Sequence, residues 1–473
     1  MTIHSDWARL FHEECPSAFQ NKPNISLRSL GVGIIDGHLQ VMCLNSRMEN
    51  WNSFIYALFV SPIMQLFKLG CPRVVLCFDS YDSVPAYKSM TQTKRMQAVK
   101  DVCIFEKRNG LPETIPEDPM LFLMNRDFKL MLIEMICDRL PSMLKLQPEQ
   151  EFILDYKRVV RYSAGSMMPL LLDGFYPMGE SDVKFARYVD KYGNALVHAI
   201  DGDYMAITLL YYATHGLKDT NKIFIYRQLS SLDNKKPDSK KKEGARTKHD
   251  EVQAKIKEEP GSRKRARGEH DVQERKTEKK QKCWVDMQLL FAVISRCMEQ
   301  CSRGGINHFT NAPFTECDAV HAAVFIMLCA GTDFSRPLPL IGPKRIWDLL
   351  PEIGNILIQA IPLDGNPSES MLINGVISKL YRIVFPKHTF VSPTYAKTLL
   401  QLKSSKLSNI TKDRLPSEEQ VLVTIRNIKW VMDYWKMHNG SVPTPFDASN
   451  GFVICPSSGL VSFADKICKP NSI

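Results

Sequence analysis

The stretch GVGIIDGHLQVMCL, residues 31–44, combines a short apolar run with an abrupt change to a helix-like pattern. The run from Val32 to Ile35 predicts a buried strand that ends at Asp36, and the residues after it predict a helix. The same order recurs in PRVVLCFD at residues 72–79 and in NALVHAIDGDYMAITLLYY at residues 194–212, and KIFIYRQL at residues 222–229 predicts a further strand. Strands that alternate with helices predict an α/β fold, with a mostly parallel central sheet and helices on both faces.

The positive charge of the chain lies mostly in one segment. The formal net charge is +10, and between Lys235 and Lys282 there are 18 Lys and Arg residues against 10 Asp and Glu. Because this segment has few apolar side chains to offset its ordering entropy, we expect residues 233–282 to form a disordered basic loop. Helices are predicted after it, from WVDMQLLFAVISRCMEQC at residues 284–301 to a last helix with Ser417 as N-cap and Gly440 as stop.

The cysteines and the apolar stretches exclude several classes of protein. The 13 cysteines include no CxxC pair, so no zinc quartet is expected. The odd cysteine count and the absence of a signal-like N-terminus predict a reducing, intracellular environment. The longest apolar stretches are shorter than the roughly 18–20 residues that span a bilayer, so we expect no membrane segment.

Acidic residues follow the predicted strands. Asp36, Asp79 and Asp201 come directly after apolar strands, and Glu180 and Asp182 open a helix. Carboxylates that meet at the carboxyl edge of a parallel sheet repel one another unless a cation compensates them, and hard oxygen ligands suit Mg²⁺ or Mn²⁺. Two such ions support the cleavage of a phosphodiester. For the pair Asp201 and Asp203 taken alone, an Asx-type turn is the alternative explanation.

Six motifs together resemble the flap endonuclease/XPG-type structure-specific 5′ nucleases, which share a PIN-like fold. The resemblance covers about residues 1–230 and 283–350. The motifs are MTIHSDWARLFHEECPSAF (1–19), IIDGHLQ (34–40), VVLCFDSYDSVPAYKSMTQTKRM (74–96), MGESDVKFARYV (178–189), AIDGDYMAI (199–207) and FIMLCAGTDFSRPLPLIGPKRIWDLL (325–350).

The resemblance implies a set of metal ligands and DNA contacts. Two Mg²⁺ ions, for which Mn²⁺ can substitute, would be held by Asp36, Asp79, Glu180, Asp182, Asp201, Asp203 and Asp333. Lys88 and Arg95 would contact the scissile phosphate, with Lys94 as a less favoured substitute, although a solvated basic helix face is the alternative. A helix-hairpin-helix-type turn at Gly342, Lys344 and Arg345 would bind DNA, unless it is an ordinary helix N-terminus with proline at its first position.

The same resemblance predicts how the chain is divided. Residues 1–95 and 151–232 would form nuclease blocks, with a helical arch or cap at residues 96–150. The nuclease would continue after the basic loop at residues 283–350, which carry the hairpin turn, and residues 351–473 would form a C-terminal helical region. The sequence departs from the family pattern at Thr2, Met42 and Leu340, and the C-terminus has no recognisable sliding-clamp motif.

Two basic clusters in the predicted loop indicate nuclear import. KKPDSKKK and SRKRARGE contain Lys240, Lys241, Lys242, Arg263, Lys264, Arg265 and Arg267. A non-specific nucleic-acid tether and a solvated linker are the alternatives, and the cytoplasm is the alternative location.

The sequence therefore predicts a Mg²⁺-dependent 5′ nuclease, monomeric and without membrane attachment, that acts on branched or flapped DNA in replication, repair or recombination. A ribonuclease of the same fold, with RNA as its partner, is one alternative. A catalytically inactive relative with an RNA-regulatory or scaffold role is the other.

Overall fold

A large central sheet organises the computed structural model. The structure describes residues 4–25, 29–79, 103–166, 169–172, 175, 179–199, 201–229, 281–302, 306–307, 312–331, 337–363, 365–385, 394–436, 452–454 and 461–463. The strands are β1 (Phe19–Gln20), β2 (Val32–Asp36), β3 (Arg73–Cys77), β4 (Glu151–Asp155), β5 (Val159–Ser163), β6 (Leu170–Leu171), β7 (Ala195–His198), β8 (Ile223–Leu229), β9 (Gln281–Asp286), β10 (Ile306–Asn307), β11 (Ala312–Pro313), β12 (Phe452–Ile454) and β13 (Val461–Phe463).

The inner part of the sheet is parallel. Within the described residues, nine strands are ordered β1-β9-β8-β7-β2-β3-β4-β5-β6. The pairs β8/β7, β7/β2, β2/β3 and β3/β4 are parallel, whereas β1/β9, β4/β5 and β5/β6 are antiparallel. The parallel strands β7, β2, β3 and β4 therefore present their carboxyl ends at one edge.

Helices cover both sides of this sheet. They are α1 (His4–Glu14), α2 (Gly37–Val41), α3 (Trp51–Ile55), α4 (Ser61–Lys68), α5 (Pro119–Met124), α6 (Arg126–Met143), α7 (Ser181–Tyr192), α8 (Asp203–His215), α9 (Met287–Ser302), α10 (Glu316–Leu328), α11 (Pro343–Ala360), α12 (Ser378–Val384), α13 (Tyr395–Ser404), α14 (Asn409–Arg414) and α15 (Glu418–Lys436). A π-helical turn, Tyr56–Val60, joins α3 to α4, and a second, Met371–Ile377, precedes α12.

Alternate side chains of the central strands enter two apolar cores. Ile34 of β2 packs in the core that includes α7, α8 and α10, together with Val75 of β3. Ile35 packs in the opposite core, which includes α3, α4 and α6. This alternation follows from the two-residue period of a strand, and it requires apolar side chains on both faces.

The chain divides into two units. The first comprises Met1–Arg227 and Cys283–Ile473, and the second comprises Gln228–Lys282. Of the second unit, the structure describes only residues 228–229 at the end of β8 and residues 281–282 at the start of β9. Most of the predicted basic loop, including the seven basic residues assigned to nuclear import, lies outside the described residues.

The mixed α/β fold, with its large central sheet and helices on both sides, confirms this part of the predicted fold class. The last helix is also confirmed, because the N–H of Gln420 donates to Ser417 Oγ at 3.2 Å and the N–H of Ser417 donates to Gln420 Oε1 at 2.9 Å. The predicted stop at Gly440 lies outside the described residues. The prediction that a helix begins at Trp284 is wrong, because Trp284 and Val285 belong to β9 and the helix begins at Met287.

No helix in the described part of the chain is both long enough and apolar enough to cross a membrane.

Candidate metal centre

Two of the predicted acidic residues lie at the carboxyl edge of the sheet. Asp36 is the last residue of β2 and is paired with Cys77 of β3, and Asp79 follows two residues after Cys77. Both carboxylates are buried: Asp36 is 7% exposed and Asp79 is 1% exposed. The parallel register thus brings side chains from separate motifs to adjacent strand ends.

Ser181 connects these two carboxylates to helix α7. Its backbone N–H donates to Asp79 Oδ1 at 3.0 Å, and its hydroxyl donates to Asp36 Oδ1 at 3.2 Å. Ser181 is flanked by Glu180, the N-cap residue of α7, and by Asp182 in its first turn. Asp36 and Asp79 therefore contact the first residue of α7, whose sequence neighbours are Glu180 and Asp182, and the positive end of the helix dipole favours negative charge there.

The second predicted pair lies at the start of α8. The N–H of Asp203 donates to Asp201 Oδ1 at 3.2 Å, and Asp203 is 3% exposed. The contact confirms the Asx-type turn that was the alternative explanation for these residues. A turn of this kind leaves the other carboxylate oxygens as potential ligands, so it is compatible with metal binding.

Tyr204 relates the start of α8 to the acids of β2 and α7. Burial raises the pKa of Tyr204 well above its usual value, and the nearby Asp36 and Asp182 carboxylates raise it further. Because Tyr204 directly follows Asp203 in α8, the second acidic pair begins a helix that packs beside the first acids.

The donor set fits a hard divalent cation in its chemistry. All of the predicted ligands are carboxylates, which suit Mg²⁺ or Mn²⁺. Among the residues that the structure describes, no three His, Cys, Asp or Glu side chains already form a group able to hold an ion. The seventh predicted ligand, Asp333, lies outside these residues, as do Lys88, Lys94 and Arg95.

The sequence interpretation missed His38, which lies beside Asp79, and Lys129, which contacts His38. His38 Nδ1 is 3.5 Å from Asp79 Oδ2, and Lys129 Nζ of α6 is 3.4 Å from His38 Nε2. His38 comes two residues after Asp36, and this spacing could have predicted that its side chain lies near the site. No sequence signal connects Lys129 to this edge, because it comes from a distant helix.

A buried group of four side chains, here called the Asp155 cluster, lies at the end of β4. Asp155 and Lys184 are each 0% exposed, and Lys184 Nζ donates to Asp155 Oδ1 at 2.9 Å. Arg187 and the hydroxyl of Tyr188 both donate to Asp155 Oδ2, the latter at 2.8 Å. Burial alone would raise the pKa of Asp155, but attraction to Lys184 and Arg187 outweighs it, so the pKa lies below its usual value.

Asp155 could have been found from the sequence. EFILD, residues 151–155, is an apolar run that ends in an acid, like the runs that end at Asp36 and Asp79. Its chemistry is nevertheless different, because its two oxygens accept hydrogen bonds from cationic and hydroxyl donors of α7.

The predicted DNA-binding turn lies at the N-terminus of α11. Gly342 is the N-cap residue of this helix, and Lys344 Nζ lies 2.7 Å from Glu14 and 3.1 Å from Asp348. Arg345 Nη1 donates to the carbonyl of Leu340 at 2.6 Å. A cleft of about 500 Å³ is lined by residues of this turn and by Arg9, Leu10 and Glu13 of α1.

Leu340 has an unusual backbone conformation. Its φ of 66° is the one positive φ found among the described non-glycine residues. Glycine adopts such a conformation without steric cost, whereas leucine does not. The turn therefore has a backbone conformation that favours glycine at a position occupied by leucine.

Comparison with known proteins does not identify a family: no protein-family model matches the chain, and no curated protein matches it.

Proposed function

We propose that this chain is a Mg²⁺-dependent, structure-selective 5′ nuclease that cleaves phosphodiesters of branched or flapped DNA. The observation that supports this proposal most strongly is the pair of Ser181 hydrogen bonds to Asp36 and Asp79. They join the first turn of α7, with Glu180 and Asp182, to the ends of two central strands. A buried concentration of carboxylates of this kind is unfavourable without a compensating cation.

In this proposal, Asp36, Asp79, Glu180, Asp182, Asp201, Asp203 and Asp333 hold the ions. Mg²⁺, when bound, activates water and stabilises the charge that develops on the phosphate. Lys88 and Arg95 orient and polarise the scissile phosphate, and Gly342, Lys344, Arg345 and Lys94 contact the DNA backbone. The sequence resemblance contributes the roles of Lys88, Lys94, Arg95 and Asp333. Replication, repair or recombination is the setting that this activity implies.

The test is cleavage of a 5′-flap DNA with Mg²⁺ by the wild type and by Asp203→Ala. We expect the variant to lose several orders of magnitude in rate while it keeps most of its DNA affinity. Asp219→Ala is the matched control, because Asp219 is 98% exposed and lies in a turn after α8. A cleavage rate in Asp203→Ala equal to that of the wild type contradicts the metal assignment.

The same assay should include structured RNA. Cleavage of RNA in preference to the DNA flap identifies the ribonuclease alternative. If the folded wild-type protein cleaves neither substrate with Mg²⁺ or Mn²⁺, the non-catalytic alternative replaces the proposal.

A further inference from the structure

Lys184 connects three parts of the molecule that meet beside the predicted carboxylate site. Its ammonium group donates to Asp155 Oδ1 at the end of β4 and, at 2.7 Å, to the carbonyl of Phe78. Phe78 directly precedes Asp79. Lys184 also lies four residues after Glu180, about one helical turn along α7. Lys184 thus links α7, whose N-terminus carries Glu180 and Asp182, to the backbone directly before Asp79.

The complete burial of the charged Lys184 side chain is not explained by a gain in stability. Removing an ammonium group from water costs several kcal/mol, and apolar residues that replace a buried ion pair often stabilise a protein as well or better. Both Lys184 and Asp155 are completely buried, and Arg187 is 8% exposed. The cluster fixes the direction of α7, because both oxygens of Asp155 are engaged by side chains of that helix.

The Asp155 cluster carries an excess of positive charge beside the predicted metal ligands. Lys184 and Arg187 carry two positive charges against the single negative charge of Asp155, so the cluster has a net charge of about +1. Asp36, Asp79 and the first turn of α7 lie at the same edge of the sheet. The excess positive charge partly offsets the repulsion among these carboxylates while no cation is bound.

We propose that Lys184 is a positioning residue for the carboxylate site, and this inference rests on the proposed function. It holds the backbone of Phe78 and Asp79 against α7, so that Asp79, Glu180 and Asp182 stay in a common arrangement before a cation binds. It does not contact the substrate. Arg187 also donates to Asp155 but makes no hydrogen bond to the Phe78 carbonyl among the described contacts, so it does not hold the Phe78–Asp79 backbone against α7.

Lys184→Met and Arg187→Met form a matched pair of variants that tests this difference. Each leaves Asp155 with one cationic partner, and each removes one buried charge. Only Lys184→Met also removes the hydrogen bond to Phe78. Circular dichroism and thermal unfolding measure the fold and the loss of stability in both variants.

The main readout is Mn²⁺ binding by the full chain without DNA, measured by electron paramagnetic resonance. Outer residues that orient metal ligands typically contribute about 10–100-fold in affinity, and we expect a weakening of that size in Lys184→Met. The Mg²⁺ concentration for half-maximal cleavage should rise in parallel, and saturating Mg²⁺ should restore most of the rate. Arg187→Met, which keeps the hydrogen bond to Phe78, should weaken Mn²⁺ binding clearly less than Lys184→Met does.

Wild-type Mn²⁺ affinity in a folded Lys184→Met variant overturns the inference, and so does an equal loss of affinity in both variants. If Lys184→Met does not fold, Lys184→Gln replaces it, because its amide can still donate to Phe78 while its charge is lost. We expect that variant to keep near-wild-type Mn²⁺ affinity, and a loss of about tenfold or more in the folded variant overturns the inference. Absence of Mn²⁺ binding by the wild type overturns the proposed function together with this inference.

Discussion

The hydroxyl of Ser181 donates a hydrogen bond to Asp36 at 3.2 Å, across 145 positions of the chain. Ser181→Ala removes this bond but keeps the backbone N–H that Asp79 accepts. We expect the free energy of unfolding to fall by about 1 kcal/mol, the usual contribution of one such bond. Cleavage should slow by about tenfold, because Asp36 then moves more freely at the site. Flap cleavage and chemical denaturation measure the two effects.

Ser295→Ala is the control for this change. Ser295 is 1% exposed in α9 and lies 3.3 Å from Glu299, so it has a comparable environment away from the carboxylates. It should lose a similar amount of stability without a change in cleavage rate. An unchanged rate in Ser181→Ala contradicts the role of Ser181 in holding Asp36.

Gly37 allows the chain to turn closely past β3 directly after Asp36. A Cβ atom at this position would lie 2.6 Å from a ring carbon of Phe78 and 2.9 Å from the carbonyl oxygen of Cys77. Gly37→Ala should therefore lower the free energy of unfolding by about 1–3 kcal/mol and displace Asp36. Gly342→Ala meets no atom within 4 Å and should cost less than about 1 kcal/mol. Denaturation midpoints that are equal for the two variants contradict this prediction.

His321 should make stability depend on pH. It is buried in α10, where burial and then the charge of Lys436 lower its pKa from 6.5 to about 3. The unfolded chain binds a proton near pH 6.5 that the folded chain does not bind until about pH 3, so stability falls as the pH decreases through this window. Between about pH 7.5 and about pH 5, the loss attributable to His321 is about 2 kcal/mol.

His321→Leu should make the free energy of unfolding less dependent on pH in this range, whatever its effect on stability at neutral pH. Urea denaturation at both pH values, for the wild type and the variant, measures the difference in slope. Parallel pH curves for the two proteins contradict the prediction, because they mean that folding does not lower the pKa of His321.

Leu340 should tolerate glycine unusually well. Relief of its positive φ contributes about 1–2 kcal/mol, which offsets the lost side-chain packing. We expect Leu340→Gly to change the free energy of unfolding by less than about 1 kcal/mol. Leu399→Gly, at another partly buried leucine but within helix α13, should cost about 2 kcal/mol or more, because helical glycine adds its own penalty. Equal losses at the two positions contradict the strain at Leu340.

The sequence predicted the parts of the fold that have a strong local pattern. The apolar runs that became β2, β3, β7 and β8 are short and bounded by polar residues. β4 and β5 were not assigned, and β9 was missed because it begins within the strongly basic segment. The pairing of β9 with β1, Val285 opposite Phe19, joins residues far apart in the chain, and no local pattern indicates it.

The positions of Asp36 and Asp79 were predictable, because a residue at or just after the end of a buried parallel strand lies at the carboxyl edge of the sheet. The meeting of Asp36 and Asp79 at one edge follows from strand order and parallel register. Ser181 and Lys184 were not predictable in the same way. Their partners are 145, 102, 106 and 29 positions away, so their roles exist only in the folded chain.

These separations also bear on the order in which the chain folds. The contact between Lys184 and Asp155 closes a loop of 29 positions, whereas the contact between Ser181 and Asp36 closes one of 145. Loop-closure entropy favours the shorter loop by about 1.4 kcal/mol. On loop-closure entropy alone, we expect the contact of Lys184 with Asp155 to form before the contact of Ser181 with Asp36. A folding intermediate with α7 already docked on β4 would contain the support of the site before the site itself.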